Sequence, residues 1–384
     1  AVTLTTGSKT NQTFDSLAAT NADGIVPNNS YDRFNASMRN TSRFLNDKLQ
    51  LDLGASYVKQ KDQNMVSQGL YWNPIVAAYL FPRGESFEAM KTFETYNSTR
   101  KFATQNWPIS ENTYAPQNPY WTAYRNPQKT TKNRFMFHGV LTYNILDWLN
   151  VSGRYRVDHT YADIERKIYA SSNEKFAAKK GNYEHANFKA TQEYADFMVN
   201  INKHMGDFNI ASHVGFSYYN TSATELQHKG NLIGVTNDFT LINIDPRDLT
   251  IIKKGGDQSI KNLALFASVE LGWKGMLYLT LTGRNEWNSR LVNSKESSFF
   301  YPSIGLSGVI SEMVKLPEVI SYLKVRGSYT DVGAPITKSG LTPGTITTPV
   351  IGGVIKETGI FPFIDFKAEK TSSYDFGWEL RMCK

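Results

Sequence analysis

Residues 263–287, LALFASVELGWKGMLYLTLTGRNEW, read as two strands around a tight turn at Lys274-Gly275. Successive side chains of an extended chain point to opposite faces. Leu263, Leu265, Ala267, Val269, Leu271 and Trp273 therefore share one face, and Ala264, Phe266, Ser268, Glu270 and Gly272 share the other. On the second strand Leu277, Leu279, Leu281 and Gly283 alternate with Tyr278, Thr280, Thr282 and Arg284. One face is almost purely aliphatic and ends in tryptophan, while the other carries charge. What covers the greasy face decides the fold. A second layer of protein makes a soluble sandwich, and hydrocarbon makes a transmembrane barrel.

The same alternation recurs through most of the chain. In RFMFHGVLTYNI, Phe135, Phe137, Leu141, Tyr143 and Ile145 oppose Arg134, His138, Thr142 and Asn144. In LNVSGRYRVD, Leu149, Val151, Tyr155 and Val157 oppose Asn150, Ser152, Arg154, Arg156 and Asp158. The pattern predicts thirteen strands, near 1–9, 11–20, 31–45, 48–61, 132–145, 149–165, 183–204, 207–222, 259–273, 276–289, 298–311, 320–331 and 371–382. Only SEMVKLPEVISYL looks locally helical, and Pro317 limits it to a turn or two.

Connections alternate between very short links and long polar loops, the long ones near 62–131, 166–182, 223–258 and 332–370. Short turns at one end and long loops at the other are the asymmetry of an outer-membrane barrel. Trp148 and Trp273 lie beside short turns, Trp287 and Tyr301 toward loops, as an aromatic girdle requires. Arg134, His138, Arg154, Arg156, Asp158, Glu270, Arg284 and Arg326 fall on the polar face and are expected to line the lumen. On the lipid side an arginine at mid-depth would cost about 2–4 kcal/mol. The rival reading, a soluble polysaccharide-binding β-sandwich, would bury the aliphatic face against another sheet.

Composition agrees with extended structure. The 384 residues include 21 Tyr, 22 Phe and 7 Trp, and charged residues make up only 20%. Apolar runs are too short for a membrane-spanning helix, which says nothing against spanning strands. The net charge of +7 is spread singly among acids rather than gathered into a stripe, so nucleic acid is not an expected partner. The single cysteine, Cys383, allows neither an internal disulfide nor a cysteine metal site. Six histidines lack metal-ligand spacing, and no nucleophile elbow or phosphate loop occurs, so neither a cofactor, a metal nor an enzyme activity is expected.

The loop at 62–131 is unusually rich in rings, among them Trp72, Phe81, Trp107, Tyr114, Tyr120 and Trp121. A solvated loop cannot carry so many without packing them. Trp72, Arg83, Trp107, Tyr120, Trp121 and Arg125 are the candidates for contact with a ligand or a partner protein. For each residue alone, packing of the loop on itself is the commoner use.

Several segments resemble the SusC/RagA family of TonB-linked outer-membrane transporters. YLTLTGRNEWNSRL (278–291) followed by SSFFYPSIGLSGVISEMVKLPEVISYLKVRGSYTDVGAP (297–335) resembles a strand pair, its loop, a short helical turn and the next strand of that family. GIVPNNSYDRFNASMRNTS (24–42), YWNPIVAAYLFPRGESFEAMKTFE (71–94), QNPYWTAYRNP (117–127) and DWLNVSGRYRVD (147–158) resemble earlier hairpins and loops in the same order. FKAEKTSSYDFGWELR (366–381) resembles a strand entered through a Lys/Pro-Glu-Lys-Thr phrase, with Ala368 where proline is common.

The resemblance implies an all-β antiparallel transmembrane barrel, with residues 1–384 supplying about 13 of roughly 22 strands. The plug, the TonB box and the closing strands are expected outside this sequence. It implies a protein of a Gram-negative outer membrane that imports an oligosaccharide or peptide. A SusD-like surface lipoprotein and the TonB complex would be its partners. A passive porin or adhesin barrel is the alternative within the same fold.

Overall fold

A computed structural model of the chain describes residues 1–65, 69–111, 115–255, 259–291, 296–334, 350–351, 354–355 and 367–382. Tyr114 and Cys383, singled out above, lie outside the described residues, as does most of the expected loop at 332–370.

The strands are β1 (Val2–Gly7), β2 (Asn11–Asp23), β3 (Ser30–Phe44), β4 (Leu49–Gln63), β5 (Glu94–Asn97) and β6 (Phe102–Gln105). Next come β7 (Gln128–Leu146), β8 (Leu149–Ile168), β9 (Asn182–Met205), β10 (Phe208–Asn231), β11 (Thr250–Gly255) and β12 (Ile260–Trp273). The last are β13 (Leu277–Asn288), β14 (Ser298–Val309), β15 (Ile320–Ala334), β16 (Val350–Ile351), β17 (Val354–Ile355) and β18 (Glu369–Met382). Fourteen form one antiparallel sheet in the order β1-β2-β3-β4-β7-β8-β9-β10-β12-β13-β14-β15-β18, with β11 also paired to β10. Every neighbour along that path is the next long strand in sequence. This is an up-and-down wall, with no crossover.

The turn that opened the reading forms as expected. Lys274 and Gly275 both have positive φ, 51° and 71°, the backbone of a two-residue hairpin turn whose twist suits the flanking strands. Leu263 then faces Trp287, Ala267 faces Gly283 and Leu271 faces Leu279, so the two aliphatic rows merge on one side. The register carries the row onward, with Leu281 beside Ile304 and Phe216 beside both Phe197 and Leu265. No second sheet covers it among the described residues: Leu265, Phe197, Phe135 and Leu306 keep 51%, 53%, 56% and 52% of their surface open. The sandwich alternative is therefore set aside. From Leu263 to Trp273 the bare row rises by about 26 Å if the strands tilt by roughly 40°, close to the apolar height of an outer-membrane barrel.

The opposite face is the more buried one. A single register row runs through Asp52, Val140, Arg154, Asp196, Ser217, Ala264 and Glu286 on seven consecutive strands of the wall. Five of these, Asp52, Asp196, Ser217, Ala264 and Glu286, are buried although among the described residues no second sheet lies against them. A sheet bent toward its charged side crowds the inner side chains and spreads the outer ones.

Two expectations need correction. The strands at the loop ends run further than the alternation suggested, since β10 continues to Asn231 and β11 occupies part of the expected loop at 223–258. Helix is not confined to SEMVKLPEVISYL: the loop at 62–131 holds helices α1 (Pro74–Tyr79) and α2 (Pro119–Arg125), besides the β5–β6 hairpin. The expected helical turn after β14 is also present, as α3 (Ile310–Met313).

Candidate functional site

The inner wall carries a series of carboxylate–guanidinium pairs, three of them between neighbouring strands and one, Arg284–Glu286, within β13. Asp52 accepts from Arg39 Nε and Nη2 at 2.9 and 2.7 Å and from Thr41 Oγ1 at 2.8 Å, and lies 3.3 Å from His138 Nε2. Arg134 grips Asp158 with Nε and Nη2. Arg154 donates to Asp196 at 2.9 Å with its guanidinium carbon 5.7 Å from the Tyr194 ring centre. Arg284 donates to Glu286 at 3.1 Å and to Tyr301 Oη at 3.2 Å, and the Tyr301 hydroxyl donates to the same carboxylate. The pairs that cross between strands help fix register, and all of them satisfy charged groups on the more buried face.

The eight expected lumen residues do share this face, but they are not equivalent. Arg134, His138, Arg154, Asp158 and Arg284 are tied into pairs. Arg326 meets Asp375 at a loose 3.8 Å with both side chains largely open. Arg156 and Glu270 are exposed and form no ion pair among the described residues. Sequence reasoning placed the face correctly and missed the carboxylates that hold it, Asp52, Asp196 and Glu286. The signal was available, since each sits on the polar parity of its strand.

Above the wall the ring-rich loop folds into a cap. Its helices start where Asn-Pro occurs: the Asn73 side chain accepts from Ile75 N, and Asn118 accepts from Tyr120 N and Trp121 N, with Pro74 and Pro119 at the first helical positions. Fully buried Asn118 also donates from Nδ2 to Met90 O at 3.1 Å and to Asn106 O at 3.0 Å. The segment after β8 closes the other side. Ser171 Oγ accepts from Gln105 N, and Asn173 N donates to Gln117 Oε1, both at 2.9 Å. The rings pack in pairs, Phe81 with Phe87 and Trp107, and Phe93 against Tyr124.

The six candidate contact residues separate sharply. Trp121 has none of its surface exposed, and its Nε1 donates to Ser172 Oγ at 2.9 Å, so it is the keystone of the cap and is out of reach of any ligand. Arg125 is committed as well: it holds Glu94 with two bonds of 2.6 Å and lies over the Tyr169 ring. The Glu94 bond raises the Arg125 guanidinium above its ordinary value, against the burial that lowers it. Trp107 donates to Pro116 O at 2.9 Å and packs on Phe81, and Tyr120 packs on Phe87. Arg83 is exposed. Trp72 lies between the Phe176 ring at 4.5 Å and the Arg166 guanidinium at 4.1 Å, at the mouth of two clefts.

Known proteins complete the picture. No curated protein matches the sequence. Among solved structures, the RagAB peptide importer in its "open-open" state aligns over 99% of this chain and 41% of its own, with 14% identity and a TM-score of 0.74. The ferric-catecholate import receptor Fiu from E. coli K12 aligns over 99% of this chain and 53% of its own, with 11% identity and a TM-score of 0.57. At these identities the likeness is one of fold, and the chain spans less than half the length of the importer. The model of the TonB dependent receptor-like β-barrel matches residues 83–382, most of the wall and the cap, and the chain belongs to that family.

Proposed function

We propose that this chain is the wall and outer cap of an outer-membrane transporter that imports a peptide or oligosaccharide nutrient. The observation that carries the reading is the bare aliphatic row of one sheet, backed on its other side by paired charges. Such a wall is stable only with hydrocarbon outside and water or protein inside. The importer and receptor folds it resembles support active import over passive diffusion. In this reading a SusD-like lipoprotein meets the cap from outside, where Tyr79 at the end of α1, Leu80 just after it and Ile242 of the β10–β11 connection are exposed. TonB supplies the energy through a plug. The protein resides in the outer membrane of a Gram-negative cell.

Uptake by cells tests this directly. Import of a labelled peptide or glycan mixture is expected to require both this gene and TonB. Uptake that persists without TonB would favour a passive porin. Extraction in plain buffer, with no need for detergent, would remove the barrel reading altogether.

A further inference from the structure

Arg166, near the end of β8, faces Glu184 directly across the ladder, and Glu184 faces Lys229 on the next strand. Among the described residues no ion pair joins Arg166 to Glu184, which acts on it through charge alone. Glu184 instead accepts from Gln227 Nε2 at 2.6 Å and lies 3.9 Å from Lys229 Nζ. Arg166 turns onto the Trp72 ring, 4.1 Å from its centre, and its donors meet no acceptor among the described residues. Stacking fixes the plane of the guanidinium while leaving its planar fork of donors free, the arrangement that receives two oxygens side by side.

Those donors border a recess of about 40 Å³ that Trp72, Thr122, Ala123, Asn126 and Gln128 also line. Among the described lining residues Arg166 is the one charged group. Asn126, which also lines the recess, carries a second unused donor, its buried and unpartnered Nδ2. Its orientation follows from a chain of bonds. Trp121 Nε1 can only donate, and it donates to Ser172 Oγ. The Ser172 hydroxyl then donates to Asn126 Oδ1 at 2.8 Å, which leaves the Asn126 amide nitrogen turned the other way. A guanidinium and an amide side chain thus border one small recess with room for a few waters, and a carboxylate head is of that size.

Trp72 and Arg166 also line a larger cleft of about 370 Å³. Its charged groups are accounted for. Asp248 Oδ2 accepts from Asn231 N at 2.7 Å, Lys229 leans toward Glu184, and Glu174 and Lys175 stand exposed on the rim. Buried Asn182 lines the same cleft with its Oδ1 unpartnered.

We propose that Arg166, Asn126 and Trp72 form a receptor for a carboxylate on the cargo, whose body occupies the larger cleft. This rests on the transport reading and narrows its cargo to molecules with an accessible carboxylate, either a peptide terminus or a uronic acid. The test uses the purified full-length transporter and two pairs of probes. One pair is a pentapeptide with a free or an amidated C-terminus, and the other a trigalacturonate with free or methyl-esterified acids.

Calorimetry is expected to show the free acid of at least one pair bound about tenfold more tightly, a factor typical of one charge-assisted interaction. The pair that discriminates names the source. Arg166→Gln and Asn126→Asp should each abolish the preference while the barrel keeps its heat-modifiable gel mobility. Asn126→Asp keeps the bond accepted from Ser172, so it reports on charge rather than folding. Equal affinities within both pairs, or a preference that survives Arg166→Gln, would overturn the site. TonB-dependent uptake would still stand in that event, so the two readings fail separately.

Discussion

The wall and the cap differ in what their polar side chains chiefly bond to. In the wall, ladder bonds satisfy the backbone, so side chains are free to pair with one another, and they do so as ions: Arg39 with Asp52, Arg154 with Asp196, Arg284 with Glu286. In the cap most of the backbone has no ladder. Its orphan groups are completed by neutral side chains, with Asn118, Gln105, Gln117 and Ser171 joining segments far apart in sequence. Regular structure leaves side chains available for charge pairing, and irregular structure consumes them. Most of the cap's candidate contact residues are committed as well, Trp121 to Ser172, Trp107 to Pro116 O and Arg125 to Glu94.

Substitutions can break or sharpen this contrast, taken from the largest effect to the smallest. Trp121→Ala should cost about 3–5 kcal/mol of local stability, because it empties a fully buried site and strands Ser172. Hydrogen exchange is expected to rise throughout the cap while the wall keeps its heat-modifiable gel mobility. Loss of both would show that the two regions fold as one. Val269→Arg should destabilise the wall by about 2–4 kcal/mol in urea titrations from lipid vesicles, whereas Ser268→Arg, one residue away on the inner face, should cost far less. Equal costs would mean that the apolar row does not face lipid.

Asn118→Ala removes a helix cap worth about 1 kcal/mol and also leaves Met90 O and Asn106 O short of a donor. Protease is expected to cut first between α1 and α2. Arg326→Ala breaks the loose, solvent-exposed contact with Asp375 and should change stability by less than about 1 kcal/mol. A larger loss would mark that pair as more buried in the membrane than its exposure indicates.

Much of the wall was readable from alternation alone, because a side-chain period of two ties each residue to a face whatever its neighbours do. Arg134, Arg154 and Arg284 landed where parity put them. The ends of β10 were not readable: beyond the lipid band both faces turn polar, as in TSATELQHKGN (221–231), and alternation fades although the ladder continues. The cap's helices did leave a trace, the Asn-Pro phrases at 73–74 and 118–119, which cap and start a helix. With only six or seven residues each, they show no apolar period to confirm it.

The sequence by itself therefore determined the strands, their two faces and the end at which the long loops stand, since all three follow from local period and turn chemistry. Only the tertiary structure decided which polar side chains are spent and which are free. Trp121 and Arg125 look like ligand contacts until Ser172 and Glu94 are found beside them. Arg166 looks like an ordinary strand arginine until it turns from Glu184 to Trp72. Partnership is a matter of distance between residues far apart in the chain, and local period carries no information about it.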